Sequence, residues 1–109
     1  MPDYDKLVRD DIPAVIRANG QTPVTHVAEG DEYRARLREK LVEEAREFRE
    51  DPCAEELADV LTVVDAIRAG EGFSAETIAT ERREKRAARG GFEDGIVLER
   101  VLDGGTEES

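Results

Sequence analysis

The sequence predicts a mainly α-helical protein built around an antiparallel helical hairpin, with a third long helix and a small two-stranded β patch. Apolar residues recur at helical spacing on both sides of a break at Asp51-Pro52. Only two segments have β-strand character, and both are short. The second helix of the hairpin carries a wide apolar arc, so we also expect a four-helix-bundle core on dimerisation.

Start and stop signals delimit the helices. Pro13 lies in the first turn of a brief helix that ends at Asn19-Gly20. Asp51 suits the N-cap of the hairpin's second helix, with Pro52 in its first turn. Ser74 suits the N-cap of the last helix. The predicted helical ranges are residues 12–18, 32–50, 52–69 and 74–88.

The β patch is predicted from residues 22–28 and from the segment that follows Phe92 and ends at Leu102. Two strands are marginal alone, so we expect them to pack on the helices. At this length, residues 1–102 are predicted to form one domain. Residues 103–109 are predicted to be a flexible tail.

Four carboxylates interrupt the apolar faces of the hairpin. Glu44 comes three residues after Leu41 and therefore projects from the middle of the apolar stripe of the first long helix. Glu47 flanks that stripe. Glu56 lies at the edge of the apolar arc of the next helix, and Asp59 follows one turn later.

The same acids are placed symmetrically about the turn. Glu47 and Glu56 are equidistant from it, and so are Glu44 and Asp59, so an antiparallel hairpin brings all four together. Buried carboxylates that repel one another need protons or cations to neutralise them. Oxygen ligands at this density suit Mg²⁺ or Mn²⁺. For Glu43, a position on the solvated surface remains the alternative to a role at the site.

The acidic pattern resembles a known family. Glu43-Glu44-x-x-Glu47 followed by Glu56-x-x-Asp59 resembles the EExxE…ExxD signature of the MazG-like, all-α nucleoside triphosphate pyrophosphohydrolases. The runs Tyr4-Asp-Lys-Leu-Val-Arg-Asp-Asp-Ile-Pro13 and Arg89-Gly-Gly-Phe92 resemble the flanks of its small single-domain members, although Asp11 stands where the pattern has Lys. The resemblance implies that Mg²⁺, with Mn²⁺ as an alternative, is held by Glu44, Glu47, Glu56 and Asp59.

Basic residues are concentrated at the end of the last helix. Arg82, Arg83, Lys85, Arg86 and Arg89 are five of the sixteen bases. One or two cations would complement the helix dipole, but five also favour phosphate binding. We assign phosphate contacts to Lys85 and Arg89, and the family resemblance implies the same. Lys40, one turn before Glu44, either forms a salt bridge with the acids or contacts a phosphate.

Composition excludes several classes of function. A net charge of −11 argues against binding to nucleic acid or to an anionic membrane. No apolar run is long enough for a membrane span, no signal-peptide pattern opens the chain, and the single Cys53 excludes an internal disulfide, so we expect a cytoplasmic protein. The excess of acids, with only three Lys, fits either a halophilic source or a GC-rich genome.

The leading hypothesis is Mg²⁺-dependent hydrolysis of a nucleoside triphosphate to the monophosphate and pyrophosphate, in the clearance of unwanted nucleotides. Water is the expected nucleophile, because Ser74 is a cap and no Ser-His-Asp arrangement is available. The predicted catalytic residues are Glu43, Glu44 and Glu47. Of these, Glu43 is expected to orient the water or to support a second ion. The alternatives are phosphoribosyl-ATP pyrophosphohydrolase and a non-catalytic helical dimer. The expected partners are the triphosphate and further copies of the chain, as a homodimer or higher homo-oligomer.

Overall fold

The computed structural model describes residues 4–103, and this part of the chain is mainly helical. The mainly-α prediction is therefore confirmed, and each helix lies within a few residues of its predicted range. The chain divides into two compact units, Met1–Ala75 and Glu76–Ser109. The helices are α1 (Ile12–Ala18), α2 (Gly30–Glu50), α3 (Ala54–Glu71) and α4 (Ala75–Arg89).

In the first unit, α2 and α3 pack against each other as the predicted antiparallel hairpin. Leu37 of α2 and Val63 of α3 are its buried apolar side chains. The core is thin because a hairpin of two helices covers only one side of each helix. Gly70, near the end of α3, lets the two helices approach closely where it passes Leu37 and Tyr33.

The turn differs in detail from the prediction. Asp51 ends α2, where its backbone N–H donates to the carbonyl of Glu47 at 2.9 Å, and Cys53 is the N-cap of α3. Asp51 precedes a proline, which disfavours the helical conformation at that residue. Asp51 therefore leaves the helical conformation, with φ −141° and ψ 78°, and α3 begins two residues later than the sequence suggested.

The N-terminal segment, residues 4–11, runs along the hairpin. Arg36 of α2 fastens it, donating to the backbone carbonyl of Asp5 at 2.7 Å and to the Asp5 carboxylate at 3.0 Å. Asp5 has a positive φ of 42°, which suits a residue at a sharp bend. The segment leads directly into α1.

The predicted β patch is not present in the part of the chain that the structure describes. Residues 22–28 and 96–102 both lack strand structure. Their apolar side chains are exposed, with Val24 97% and Ile96 85% accessible. Residues with local strand preference form a stable pair only when a helix or a further strand covers them, and neither segment has such cover here.

The second unit contains α4 from Glu76 onward and the segment that follows it. Gly90, with φ 82°, ends the helix, and its N–H donates to the carbonyl of Arg86 at 2.7 Å. Arg86 also pairs with Glu93 at 3.3 Å. The single-domain assignment of residues 1–102 stays a prediction, and the predicted tail lies outside the described residues except for Asp103.

Between residues 4 and 103, no helix combines the length and the apolar character that a membrane crossing requires.

Gly70→Val should destabilise the hairpin. A Cβ at Gly70 would lie 3.3 Å from Leu37 Cδ1 and 3.4 Å from Tyr33 Cε2, so the two methyl groups beyond it would force the helices apart. We expect a loss of about 1–3 kcal/mol in the free energy of unfolding, measured with urea. Gly70→Ala should be close to neutral, because better helix propensity offsets the tight contact. Ala69→Val, at an exposed neighbouring position, is the control. Equal stability of the two valine variants would contradict this account of the helix contact.

Candidate metal centre

Glu44 is buried in the face that α2 presents to α3. Its exposure is 6%, close to the 4% of Leu37, which lies two turns earlier on the same face. The predicted position of Glu44 inside the apolar stripe is therefore confirmed. Since a buried carboxylate is costly to leave without a counter-charge, the groups around it determine what the site can do.

Two groups of carboxylates meet at Glu44. In each group, one oxygen per residue lies within 4.8 Å of the others. Glu44 belongs to both, so it joins the acids of α2 to those of α3. The structure brings the four predicted acids together at Glu44 as two groups of three and not as one group of four, and it adds Glu43. The role of these residues as metal ligands stays a prediction. The first group is Glu43, Glu44 and Glu47, and the second is Glu44, Glu56 and Asp59. We call these five residues the acidic cluster.

Glu56 has an unsatisfied oxygen. Its Oε1 is buried and has no hydrogen-bond partner among the described residues. Desolvation raises the pKa of Glu56, and the nearby charges of Glu47, Asp59 and Glu44 raise it further. A buried acceptor that faces other carboxylates fits a cation ligand, because a cation would satisfy the oxygen and relieve the repulsion.

Lys40 is part of this arrangement. Its Nζ lies 3.1 Å from Glu43 and 3.4 Å from Glu44, and its side chain is largely buried. Of the two roles that the sequence left open, the structure shows the salt bridge to the acids.

Two further cations reach the acidic cluster from the N-terminal segment. Lys6 Nζ donates to Glu43 at 2.7 Å, and Arg9 donates to Asp59 at 2.8 Å. The hydrogen bond from Lys6 is the main reason that the pKa of Glu43 is lowered. Sequence reasoning gave Lys6 and Arg9 no role of their own. One feature of the sequence could have indicated these contacts: Lys6 and Arg9 are two bases, three residues apart, in a strongly acidic chain.

The predicted phosphate ligands Lys85 and Arg89 lie on α4, in the second compact unit. Both are exposed. Their role stays a prediction. His26 lies outside the acidic cluster, is exposed, and pairs with Glu32 at 2.7 Å.

Glu56→Gln should stabilise the metal-free protein at neutral pH. The folded protein holds the Glu56 proton more tightly than the unfolded chain does, because its pKa is raised above 4.5. Stability therefore falls as the pH rises through the interval between these two pKa values. Glutamine has no such penalty, so its advantage should be greatest at neutral pH and absent well below pH 4.5, where Glu56 is protonated in both states.

Urea unfolding in a chelator at several pH values would measure this difference. Glu55→Gln is the matched control, because Glu55 is exposed and shares the first turn of α3, so both variants lose the same interaction with the helix dipole. An advantage of Glu56→Gln that does not change with pH would contradict the desolvation of Glu56.

Comparisons with known proteins give little information about the family. No family model matches the chain, and no solved structure matches it. An uncharacterized protein of Mycolicibacterium smegmatis is 54% identical over 44 residues. The match covers 40% of this chain and 45% of that relative, so it spans less than half of either protein.

Proposed function

We propose that the protein is a Mg²⁺-dependent hydrolase that cleaves nucleoside triphosphates to the monophosphate and pyrophosphate. The observation that carries this proposal is the acidic cluster assembled around a buried Glu44. A site of carboxylate oxygens suits a hard divalent cation, and Mg²⁺ in proteins usually binds one or two carboxylates together with substrate phosphates.

The charges of the cluster support a divalent ion. Five carboxylates meet there, and three cations contact them. Two negative charges remain, which one Mg²⁺ or Mn²⁺ would balance. The unsatisfied Oε1 of Glu56 supports the same assignment. The cations in contact are Lys6, Arg9 and Lys40.

The proposed ligands are Glu44, Glu47, Glu56 and Asp59. A bound Mg²⁺ would polarise the phosphate oxygens and lower the pKa of a water. Glu43, which is paired with two lysines, would orient that water by accepting its hydrogen bond. Lys85 and Arg89 belong to the proposal as phosphate ligands. The proposed biological role is the clearance of unwanted nucleotides.

We also propose that the working unit is a homodimer in which two hairpins pack as a four-helix bundle. On α3, Leu57, Leu61 and Val64 are exposed. Helical spacing places them on the same side of the hairpin as a groove of about 340 Å³ along α2, and opposite the side that carries Glu43 and Asp59. A second hairpin would cover this apolar side without covering the acids. The groove is lined by Leu41, Val42, Ala45, Arg46 and Arg49.

Glu44→Gln and Glu56→Gln should each lower the rate of pyrophosphate release at least about 100-fold. Even residues that only support metal ligands change activity by about 10–100-fold when they are replaced, so the loss of a ligand should exceed that range. Helix content, measured by circular dichroism, should not change. The measurement is a screen of canonical and modified triphosphates with Mg²⁺, in which pyrophosphate is distinguished from phosphate.

Glu50→Gln, at the exposed end of α2, is the matched control and should retain full activity. In ¹⁸O-water, a single turnover should label one product, since water attacks phosphorus directly. Turnover by a Glu44→Gln/Glu56→Gln double variant would contradict the site. Trapping of a nucleotidylated protein would contradict the mechanism. Failure of the wild-type protein to release pyrophosphate from any triphosphate would overturn the proposed function.

Leu61→Glu should convert the dimer to a monomer. The substitution places a charge in the apolar surface that the second copy would bury. Light scattering over a dilution series should show twice the chain mass for the wild-type protein and the single chain mass for the variant. Thr62→Glu, on the other side of α3, introduces the same charge outside this surface and should leave the dimer intact. A wild-type protein that is monomeric and fully active at every concentration would refute the dimer.

A further inference from the structure

The N-terminal segment carries two cations to two different helices. Lys6 contacts Glu43 of α2, and Arg9 contacts Asp59 of α3, across sequence separations of 37 and 50 residues. Residues 4–11, which we call the cationic arm, therefore bridge the two helices at the acidic cluster. Both acids in these pairs are members of the cluster.

These two ion pairs are accessible to solvent, so other anions can reach the two cations. The side chains of Lys6 and Arg9 are 40% and 58% exposed. Exposed ion pairs contribute little to stability. The arm is also held at a separate point, where Arg36 binds Asp5 by two hydrogen bonds. Lys6 and Arg9 could therefore leave their carboxylates while the arm stays in place.

We propose that Lys6 and Arg9 are substrate-binding residues that neutralise Glu43 and Asp59 in the metal-free protein and bind the polyphosphate once a divalent cation is present. A cation bound by Glu44, Glu47, Glu56 and Asp59 weakens the attraction of the carboxylates for Lys6 and Arg9, and the phosphate oxygens that arrive with it compete for the ammonium and guanidinium groups. Lys6 offers a compact point charge, and Arg9 can donate two parallel hydrogen bonds. This inference rests on the proposed function.

The two roles have opposite consequences for binding. A divalent cation without phosphate must displace or tolerate two nearby positive charges, so Lys6 and Arg9 oppose its binding. A polyphosphate that arrives with the cation is attracted by the same two charges. Removing them should therefore tighten the binding of the cation alone and weaken the binding of the polyphosphate. Ion pairs that only hold the fold together would not produce this pair of opposite changes.

The test uses the full chain and two probes, Mn²⁺ alone and inorganic tripolyphosphate in the presence of Mg²⁺, both followed by calorimetry. Lys6→Gln, Arg9→Gln and the double variant should each bind Mn²⁺ several-fold more tightly than the wild-type protein. The affinity for tripolyphosphate should fall about ten-fold or more per side chain, as expected for the loss of a charged hydrogen bond. Lys6→Arg and Arg9→Lys should restore most of the polyphosphate affinity.

Arg36→Gln is the matched control, because it removes one positive charge and one anchor of the same arm without touching the acidic cluster. It should change both affinities much less than the Lys6 and Arg9 variants do, and circular dichroism should show equal helix content throughout. Opposite shifts for the two probes would support the inference.

Shifts in the same direction, unchanged tripolyphosphate affinity, or full reproduction of the effects by Arg36→Gln would overturn the inference and leave the metal centre standing. A wild-type protein that binds no Mn²⁺ would overturn the metal centre and this inference together.

Discussion

The burial of the Glu44 carboxylate between α2 and α3 is the constraint on which the rest of the first unit depends. An apolar residue at this position would extend the thin core formed by Leu37 and Val63. The chain instead places a charge there and surrounds it with further acids. Lys40 from within α2 and the cationic arm from outside then offset part of that charge. A carboxylate at this position contributes less to the stability of the hairpin than a buried apolar side chain would.

Much of this arrangement could be predicted from the sequence because helical spacing is strict. The three-residue step from Leu41 fixed the direction of Glu44. Distances from the turn placed Asp59 opposite Glu44 and Glu56 opposite Glu47. The contacts of Lys6 and Arg9 could not be predicted, because residues 4–11 have no periodicity and their partners are far along the chain. The prediction of a β patch was wrong for a related reason. Local strand preference in residues 22–28 carries no information about whether anything covers them.

The acidic cluster also links stability to metal binding. Without a cation, the raised pKa of Glu56 records repulsion and desolvation that the folded state must tolerate. A ligand that binds only the folded state adds stability in proportion to the logarithm of its concentration. With Mg²⁺ in the proposed site, the amount of folded protein and its readiness to act on a triphosphate would both depend on the same ion. The first unit would then be most stable in the state that performs the reaction.

The tight turn at residues 51–53 has a consequence for the order of assembly. Contacts between α2 and α3 begin with residues close in sequence, so the hairpin closes small loops and can form rapidly. The cationic arm is synthesised before the hairpin, yet Arg9 meets Asp59 only after 50 further residues have been added. The ion pairs of the arm can therefore form only after the residues of the hairpin have been synthesised. Until then, the acids would be accessible to small ions, and a divalent cation present during synthesis could enter the centre before Lys6 and Arg9 reach it.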